Sequence, residues 1–466
     1  MALMLAVIEA GLLFAVVLGG TLFWEQRILQ SAVDVATVLS NVVAACACCL
    51  VGFYYNDLYN LRVVWTFRGF AARLLSSLGL AFVLLAVLYA VVPEAVIDAG
   101  TVALSFLVTV ALVLPVRGAA YALTRSGPFC ERIVILGSGP FAAGVAREIE
   151  RQPYLRYRVV GMVEDTRTAE PPYPVLGRLE DLDGILRRVQ PDRLIVALTE
   201  RRGRMPVQQL FEARMDGVGV ESGEAVYERL TGKLAIESLT PSNVIFSPDF
   251  RKSILDLAAG RALSMLVAAV GLVVLAPVLA VIALAIRLDS GGPALYVHDR
   301  VGLRGRRFKL LKFRTMRRTG AHVADWTRDQ SDRVTHVGKW LRRFRLDELP
   351  QFINILRGDM NLVGPRPHRV PKYEAFLDSI PYFSLRAIVR PGLTGWAQVR
   401  YGYATRLDEE TEKVRYDLYY VKHVSFALDL RILFDTVKIV VFGRGSRARG
   451  PRLMVAGDGV TAATRQ

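Results

Sequence analysis

Cysteine and histidine are scarce in this chain, and their placement rules out several chemistries. Among 466 residues there are four cysteines, Cys46, Cys48, Cys49 and Cys130, and five scattered histidines. Three of the cysteines lie in one apolar run, which excludes a disulfide framework and leaves a zinc site without partners. The histidines have no metal-ligand spacing. No DNA- or RNA-binding motif accompanies the net charge of +16, so the expected partners are anionic lipid and phosphorylated substrates, with no nucleic acid. There is no internal repeat. A Tyr-x-x-x-Lys pair is also missing, which counts against a membrane-tethered nucleotide-sugar oxidoreductase or dehydratase.

What the chain has in abundance is apolar sequence, 52% of its residues, gathered into separate runs. Four open the sequence, at about 2–23, 33–54, 74–92 and 100–116. Each is near the ~20 residues a spanning helix needs. The first lacks a basic leader and is followed by more runs, so it reads as a helix and not as a signal peptide. Arg62, Arg68 and Arg73 follow the second run; Pro93, Glu94 and Asp98 follow the third; Arg117, Arg125 and Arg132 follow the fourth. The positive-inside rule then puts the second-to-third loop, and everything after the fourth run, in the cytoplasm. The runs hold few ionisable groups, which suits an anchor.

Residues 130–240 read as a Rossmann-like α/β domain. A strand at Arg132–Leu136 leads into Gly137-Ser-Gly139-Pro-Phe-Ala142 and a helix, and further strands lie at Arg158–Val163 and Arg193–Leu198. Ala142 stands where the fingerprint has its third glycine. Gly137 and Gly139 therefore mark either a nucleotide loop or a turn in a structural module. A further apolar run, Ala262–Ile286, carries Pro277. Arg251, Lys252 and Arg261 precede it and Arg287, Arg300 and Arg304 follow it, so a straight span would carry one basic cluster to the wrong side. Two forms remain: a re-entrant helix broken at Pro277, or a kinked span. Residues 293–316 read as a β-hairpin, with His298 in a packing role. Glu409–Phe442 reads as a helix whose apolar stripe faces either a membrane surface or the protein's own core, and 443–466 as a mobile basic tail.

The stretch Lys339–Pro367 sets two adjacent acids, Asp347 and Glu348, at the mouth of a short helix beginning near Leu349 and ending at Gly358. Glu348 and Gln351 have the spacing of a capping box, and Asp347 alone reads as a cap. The surrounding cations support a second reading. Lys312 and Arg314 lie upstream, Arg342, Arg343 and Arg345 adjoin the acids, and Arg366 sits between two prolines. Carboxylates among fixed cations suit a site for a metal ion and phosphates.

KFRTM at 312–316, LDELPQ at 346–351, GDMNLVGPRP at 358–367 and RPGLTGWAQV at 390–399 resemble the bacterial sugar transferases that act as polyprenyl-phosphate phosphoglycosyl transferases. The arrangement resembles the large membrane form of that family. The resemblance implies a four-helix transmembrane region at 1–122, the Rossmann-like domain, a re-entrant membrane helix at 250–290 broken at Pro277, and an α+β monotopic catalytic domain at 291–442. It implies transfer of a sugar-1-phosphate from a UDP-sugar to polyprenyl phosphate at the cytoplasmic face of the bacterial inner membrane. The initiated exopolysaccharide or O-antigen would pass to downstream glycosyltransferases. It assigns Asp347 as nucleophile, Glu348 with Asp347 as Mg2+ ligands, and Lys312, Arg314, Arg342 and Arg366 to phosphate and substrate. A homodimer is the family expectation. His298 departs from the family pattern, where a Gln is usual. A dead transferase domain serving as an export scaffold is the non-enzymatic rival, and the intact acids and cations oppose it.

Overall fold

The computed structural model describes residues 2–24, 35–58, 67–93, 97, 99–125, 130–152, 155–164, 173–198, 204–239, 241–247, 250, 252–317, 333–402, 404 and 406–442. The basic loop residue Arg62, the acids Glu94 and Asp98, Arg251 and the tail 443–466 lie outside these. Two compact units divide the chain, Met1–Glu221 and Ser222–Gln466.

The first unit begins with four helices, α1 (Ala2–Trp24), α2 (Val35–Tyr55), α3 (Phe67–Val91) and α4 (Ala99–Arg125). Leu13, Val42, Phe53, Phe70 and Val113 are fully buried between them. Val35–Tyr55 and Arg73–Val91 are long and apolar enough to cross a membrane, whereas Val7–Phe23 and Leu107–Ala119 are shorter apolar stretches. One ion pair is sealed inside the bundle: Arg117 forks onto Glu9, with Nη2 3.0 Å from Oε2, and both side chains are buried. Phe70 lies under the guanidinium.

A five-stranded sheet follows in the order β3-β2-β1-β4-β5. Its strands are β1 (Glu131–Leu136), β2 (Tyr157–Glu164), β3 (Val175–Arg178), β4 (Arg193–Val196) and β5 (Gly219–Ser222), interleaved with α5 (Pro140–Glu150), α6 (Leu182–Val189) and α7 (Val207–Met215). Strand β1 pairs in parallel with β2 and β4, and its Ile133–Leu136 is buried on both faces, which is why that run has no polar alternation. Gly137 has φ +122°, and any Cβ there would strike the Ala197 carbonyl oxygen. Gly139 precedes α5 and Pro140 opens it. Both glycines thus serve the strand-to-helix turn.

Residues 222–239 fold with the second unit. After α8 (Gly223–Thr231), Leu234 N–H donates to the Arg415 carbonyl at 3.0 Å and the Trp396 indole donates to the Gly232 carbonyl at 2.8 Å. The short α9 (Pro241–Phe246) leads to α10 (Ile254–Ser290), which runs unbroken through Pro277. Helix α10 is long and apolar enough to cross a membrane. It is clipped to the same unit at both ends. Near its start Arg261 donates to the Ile355 and Met360 carbonyls, and Leu362 N–H donates to Ser264 Oγ. At its end Asp289 accepts from Val337 N–H. Between these points Val273, Val274, Val281 and Leu284 are exposed.

The remaining elements are the hairpin β6 (Leu295–Val301) and β7 (Arg307–Phe313), α11 (His336–Arg343), α12 (Gln351–Arg357), β8 (Asn361–Val363), α13 (Val370–Ser379), β9 (Gly392–Thr394), α14 (Trp396–Arg400), α15 (Leu407–Lys422) and α16 (Phe426–Phe442). The expected helix over Glu409–Phe442 is two helices. In α15 Val414, Leu418 and Val421 are buried, so its stripe faces the core, while α16 exposes Phe434, Val437 and Val440.

Candidate active site

Three elements carry the site. Strand β7 presents Lys312; antiparallel register sets Tyr296 opposite it, so Tyr296, His298 and Arg300 share its face. Asn354 of α12 sews that strand to the acidic segment: its side chain accepts from Leu311 N–H at 3.0 Å and donates to the Lys309 carbonyl at 2.8 Å. Helix α11 is capped by Thr335 and packs so tightly that a Cβ on Gly338 would lie 2.2 Å from the Thr315 carbonyl oxygen. That packing brings Arg342 Nε to Thr315 Oγ1 at 3.0 Å.

The chain reverses at Arg345, in the left-handed region at φ +55°, and enters a 3-10 turn, Leu346–Glu348. Helix α12 begins only at Gln351, with Pro350 before it and no side-chain cap. The expected capping box is therefore not formed. Glu348 turns instead into the cation cluster, and its burial away from the helix mouth frees both acids from capping. Gly358 ends α12 at φ +95°, as expected.

Lys312 Nζ donates to Glu348 Oε1 at 2.7 Å and lies 3.8 Å from Asp347 Oδ2. Arg366 Nη2 donates to the same Glu348 oxygen at 2.6 Å, whereas among the described residues Glu348 Oε2 has only the longer bond from Arg366 Nη1 at 3.4 Å. Burial alone would raise the Glu348 pKa, but Arg366 and Lys312 overcome it and hold the carboxyl well below the usual range. Asp347 moves the other way. Burial and the Glu348 charge raise its pKa against the pull of Lys312 and Arg342.

Arg314 is not part of this cluster. Strand β7 ends at Phe313, and Arg314 turns to the end of α10, donating to Ser290 Oγ at 2.9 Å and to the Gly291 carbonyl. Pro277 and the pair Gly137 and Gly139 belong to other elements, α10 and the β1–α5 turn.

Several contributors carry no motif that would have exposed them. Arg386 donates to the Arg366 carbonyl at 3.0 Å and to Asp417 at 2.5 Å, and also bonds His368 Nδ1. His368 Nε2 in turn donates to Glu410 at 2.7 Å. Burial and Arg386 push the His368 imidazole down to about 3, so it is a neutral link. This buried chain fixes the backbone that carries Arg366. Beyond Arg366 opens a cavity of about 480 Å³, bordered by Arg300, Arg342, Arg345, Arg366, Arg369 and Lys413. Glu410 is the one acid among its described lining residues. A cavity so biased favours a multiply charged anion.

The donor set also bears on a metal. Among the described residues no three His, Cys, Asp or Glu side chains gather into a metal-binding group. Mg2+ commonly takes one or two carboxylates and completes its shell with water and substrate phosphate. Asp347 and the lightly engaged Glu348 Oε2 fit that pattern.

Comparison with known proteins agrees in register. The model of the bacterial sugar transferase family matches residues 255–443, and that of a CoA-binding domain matches residues 54–220. The chain is 38% identical over 223 residues to UDP-N-acetylgalactosamine-undecaprenyl-phosphate N-acetylgalactosaminephosphotransferase of Aeromonas hydrophila, covering 48% of this chain and 52% of that protein. It is 32% identical to undecaprenyl-phosphate glucose phosphotransferase of Komagataeibacter xylinus, covering 69% and 61%. To UDP-glucose:undecaprenyl-phosphate glucose-1-phosphate transferase of Escherichia coli (strain K12) it is 32% identical, covering 67% and 68%. The matches thus span about half and three fifths of the first two relatives, and two thirds of the third. With the acidic pair, its cations and the basic cavity all inside the matched residues, the chain belongs to the bacterial sugar transferase family.

Proposed function

We propose that this protein transfers a sugar-1-phosphate from a UDP-sugar to polyprenyl phosphate and releases UMP. The observation that carries the reading is the contrast within one acidic pair. Glu348 is locked between Lys312 and Arg366 at 2.7 and 2.6 Å, while Asp347 makes only a longer ion pair among the described residues, 3.8 Å from Lys312, with Arg342 acting on it as well. Glu348 is built to hold cations in place; Asp347 is left to react.

In the first half-reaction an Asp347 carboxylate oxygen bonds to the sugar-bearing phosphorus, the bridging anhydride bond breaks, and UMP departs with the bridging oxygen. In the second, an oxygen of polyprenyl phosphate attacks the same phosphorus and the Asp347 carboxylate is released. Neither half needs a proton. Lys312, Arg342 and Arg366 meet the phosphate charge. Asp347 and Glu348 would hold Mg2+, which supplies further charge neutralisation for the diphosphate when bound.

We also read α10 as entering and leaving the bilayer from one face, without the break at Pro277 that the resemblance implied, with the catalytic unit on the cytoplasmic face of the bacterial inner membrane and α1–α4 as a multi-pass anchor. In support, both ends of α10 are hydrogen-bonded to one unit, and basic residues flank it on both sides. The product would start a polysaccharide that downstream glycosyltransferases extend.

The test is intact-mass analysis of nanodisc-held protein with a panel of UDP-sugars, followed by UMP release on adding polyprenyl phosphate. A sugar-phosphate adduct is expected on the wild type and none on Asp347→Asn, whose turnover falls by roughly 10⁴ or more. Wild-type turnover in that variant would overturn the assignment.

A further inference from the structure

The chemistry above leaves Arg300 and His298 without a task. Arg300 is half-buried near the end of β6 and borders the cavity. Its Nε donates to His298 Nε2 at 2.7 Å and its Nη1 to the Pro367 carbonyl at 2.9 Å, while its backbone bridges Arg369. The charged groups that face it are Arg366, Arg369 and Glu348. Among the described residues no carboxylate lies within ion-pair distance of Arg300, and Glu348 is already held by Lys312 and Arg366.

His298 is what keeps this cation aimed. Accepting the Arg300 Nε–H fixes Nε2 as the acceptor, so the ring proton sits on Nδ1, a buried atom without a hydrogen-bond partner. Tyr296 stacks on the ring at 5.1 Å and 25°. Burial and Arg300 push the imidazole down to about 3, so it stays neutral. A neutral acceptor orients a guanidinium without cancelling its charge, whereas a carboxylate at this position would neutralise it. A cation held in this way, beside two more cations, is unfavourable until an anion arrives.

We propose that Arg300, aimed by His298, is the clamp for the phosphate that departs with the nucleotide. This rests on the transferase reading and adds an order to the site. Lys312 adjoins both Asp347 and Glu348, Arg366 grips Glu348 from the cavity side, and Arg300 neighbours Arg366. The sugar-bearing phosphate therefore lies toward Lys312 and Asp347, and the nucleotide phosphate toward Arg366 and Arg300. As Asp347 bonds to the sugar-bearing phosphorus and the bridging bond breaks, the electron pair goes to the bridging oxygen of UMP, and Arg300 receives that charge.

Full-length protein in nanodiscs tests this with UMP and inorganic pyrophosphate as probes, read by calorimetry and thermal unfolding. Arg300→Met is expected to weaken UMP binding at least about tenfold, the loss of a charge-assisted bond. The same variant, without ligand, unfolds at or above the wild-type temperature, because a repelled cation is gone. His298→Gln, whose amide oxygen still accepts the Nε–H, keeps UMP affinity within about threefold, and His298→Leu loses affinity in the direction of Arg300→Met. Arg300→Lys keeps the charge without the fork and falls between. Wild-type UMP affinity in both Arg300 variants, or no stabilisation of the wild type by either probe, overturns the clamp. If UMP binding depends on Arg300 yet no UDP-sugar gives turnover, the clamp stands and the transferase reading fails.

Discussion

Glu9 and Glu348 are both carboxylates taken out of water, and the two units surround them in opposite ways. Among the described residues Glu9 pairs with Arg117, in a forked pair with Phe70 beneath it, and charges balance. Glu348 is shared by Lys312 and Arg366, and Arg300, Arg342 and Arg369 stand beyond; among the described residues that line the cavity, Glu410 is the one acid against this excess of cations. A balanced buried pair ties two helices together and asks for nothing else. An unbalanced cluster stores unpaid repulsion, and an anion relieves it. The difference separates a joint from a receptor, although both are read from the same kind of contact.

The comparison can be broken in several places. After the loss expected for Asp347→Asn, the next largest effects are on stability. Glu9→Gln leaves Arg117 buried without a countercharge and is expected to cost about 3–5 kcal/mol, measured by unfolding in detergent. Pyrophosphate will not restore it. Replacing both partners, Glu9→Leu with Arg117→Leu, is expected to be near neutral, which a single-mutant loss alone does not reveal.

Glu348→Gln is expected to cost a similar ~3–5 kcal/mol at neutral pH. Here the sign is informative. The folded Glu348 pKa is depressed, so its stability contribution is present above the unfolded carboxylate value and is lost as pH falls toward the folded one. The gap between wild type and Glu348→Gln should therefore narrow in acid, as followed by denaturant midpoints across pH.

A smaller effect concerns rate. Because the Asp347 pKa is raised, the acid limb of adduct formation should lie above the ~3.9 of an ordinary aspartate. Removing the like charge in Glu348→Gln should move that limb down, and a limb that stays put would separate it from Asp347. The smallest expected effect is Trp396→Phe, which removes the indole bond to Gly232 and should cost about 1 kcal/mol.

Much of this was legible in the residues. The acid pair, Lys312, Arg342 and Arg366 meet as their motifs imply, because strand β7, α11 and the Gly-Pro-Arg-Pro turn each follow local rules. Arg314 lies apart from them for a local reason. Two residues on from Lys312 it would share that face in a longer strand, but β7 stops at Phe313 and the side chain swings to the end of α10. The ownership of 222–239 was hidden because it depends on long-range bonds to Arg415 and Trp396. The same holds for Arg386, Asp417 and the His298–Arg300 pair, which acquire meaning only where β6 meets 366–369. Of the two readings open for the acids, the cap and the site among cations, the 3-10 turn at Leu346–Glu348 leaves the cap unformed.

Helix α10 is fastened to the catalytic unit near Ser264 and again at Asp289, with an oily face between. A tether with one attachment would let the enzyme bob and tilt on its mooring. Two attachments forbid that: however deep the lipid draws the helix, Asp347 is drawn to a matching height. Under the proposed function, bilayer thickness would thereby become a dial on how easily a long-tailed phosphate reaches Asp347, with no change of shape inside the protein.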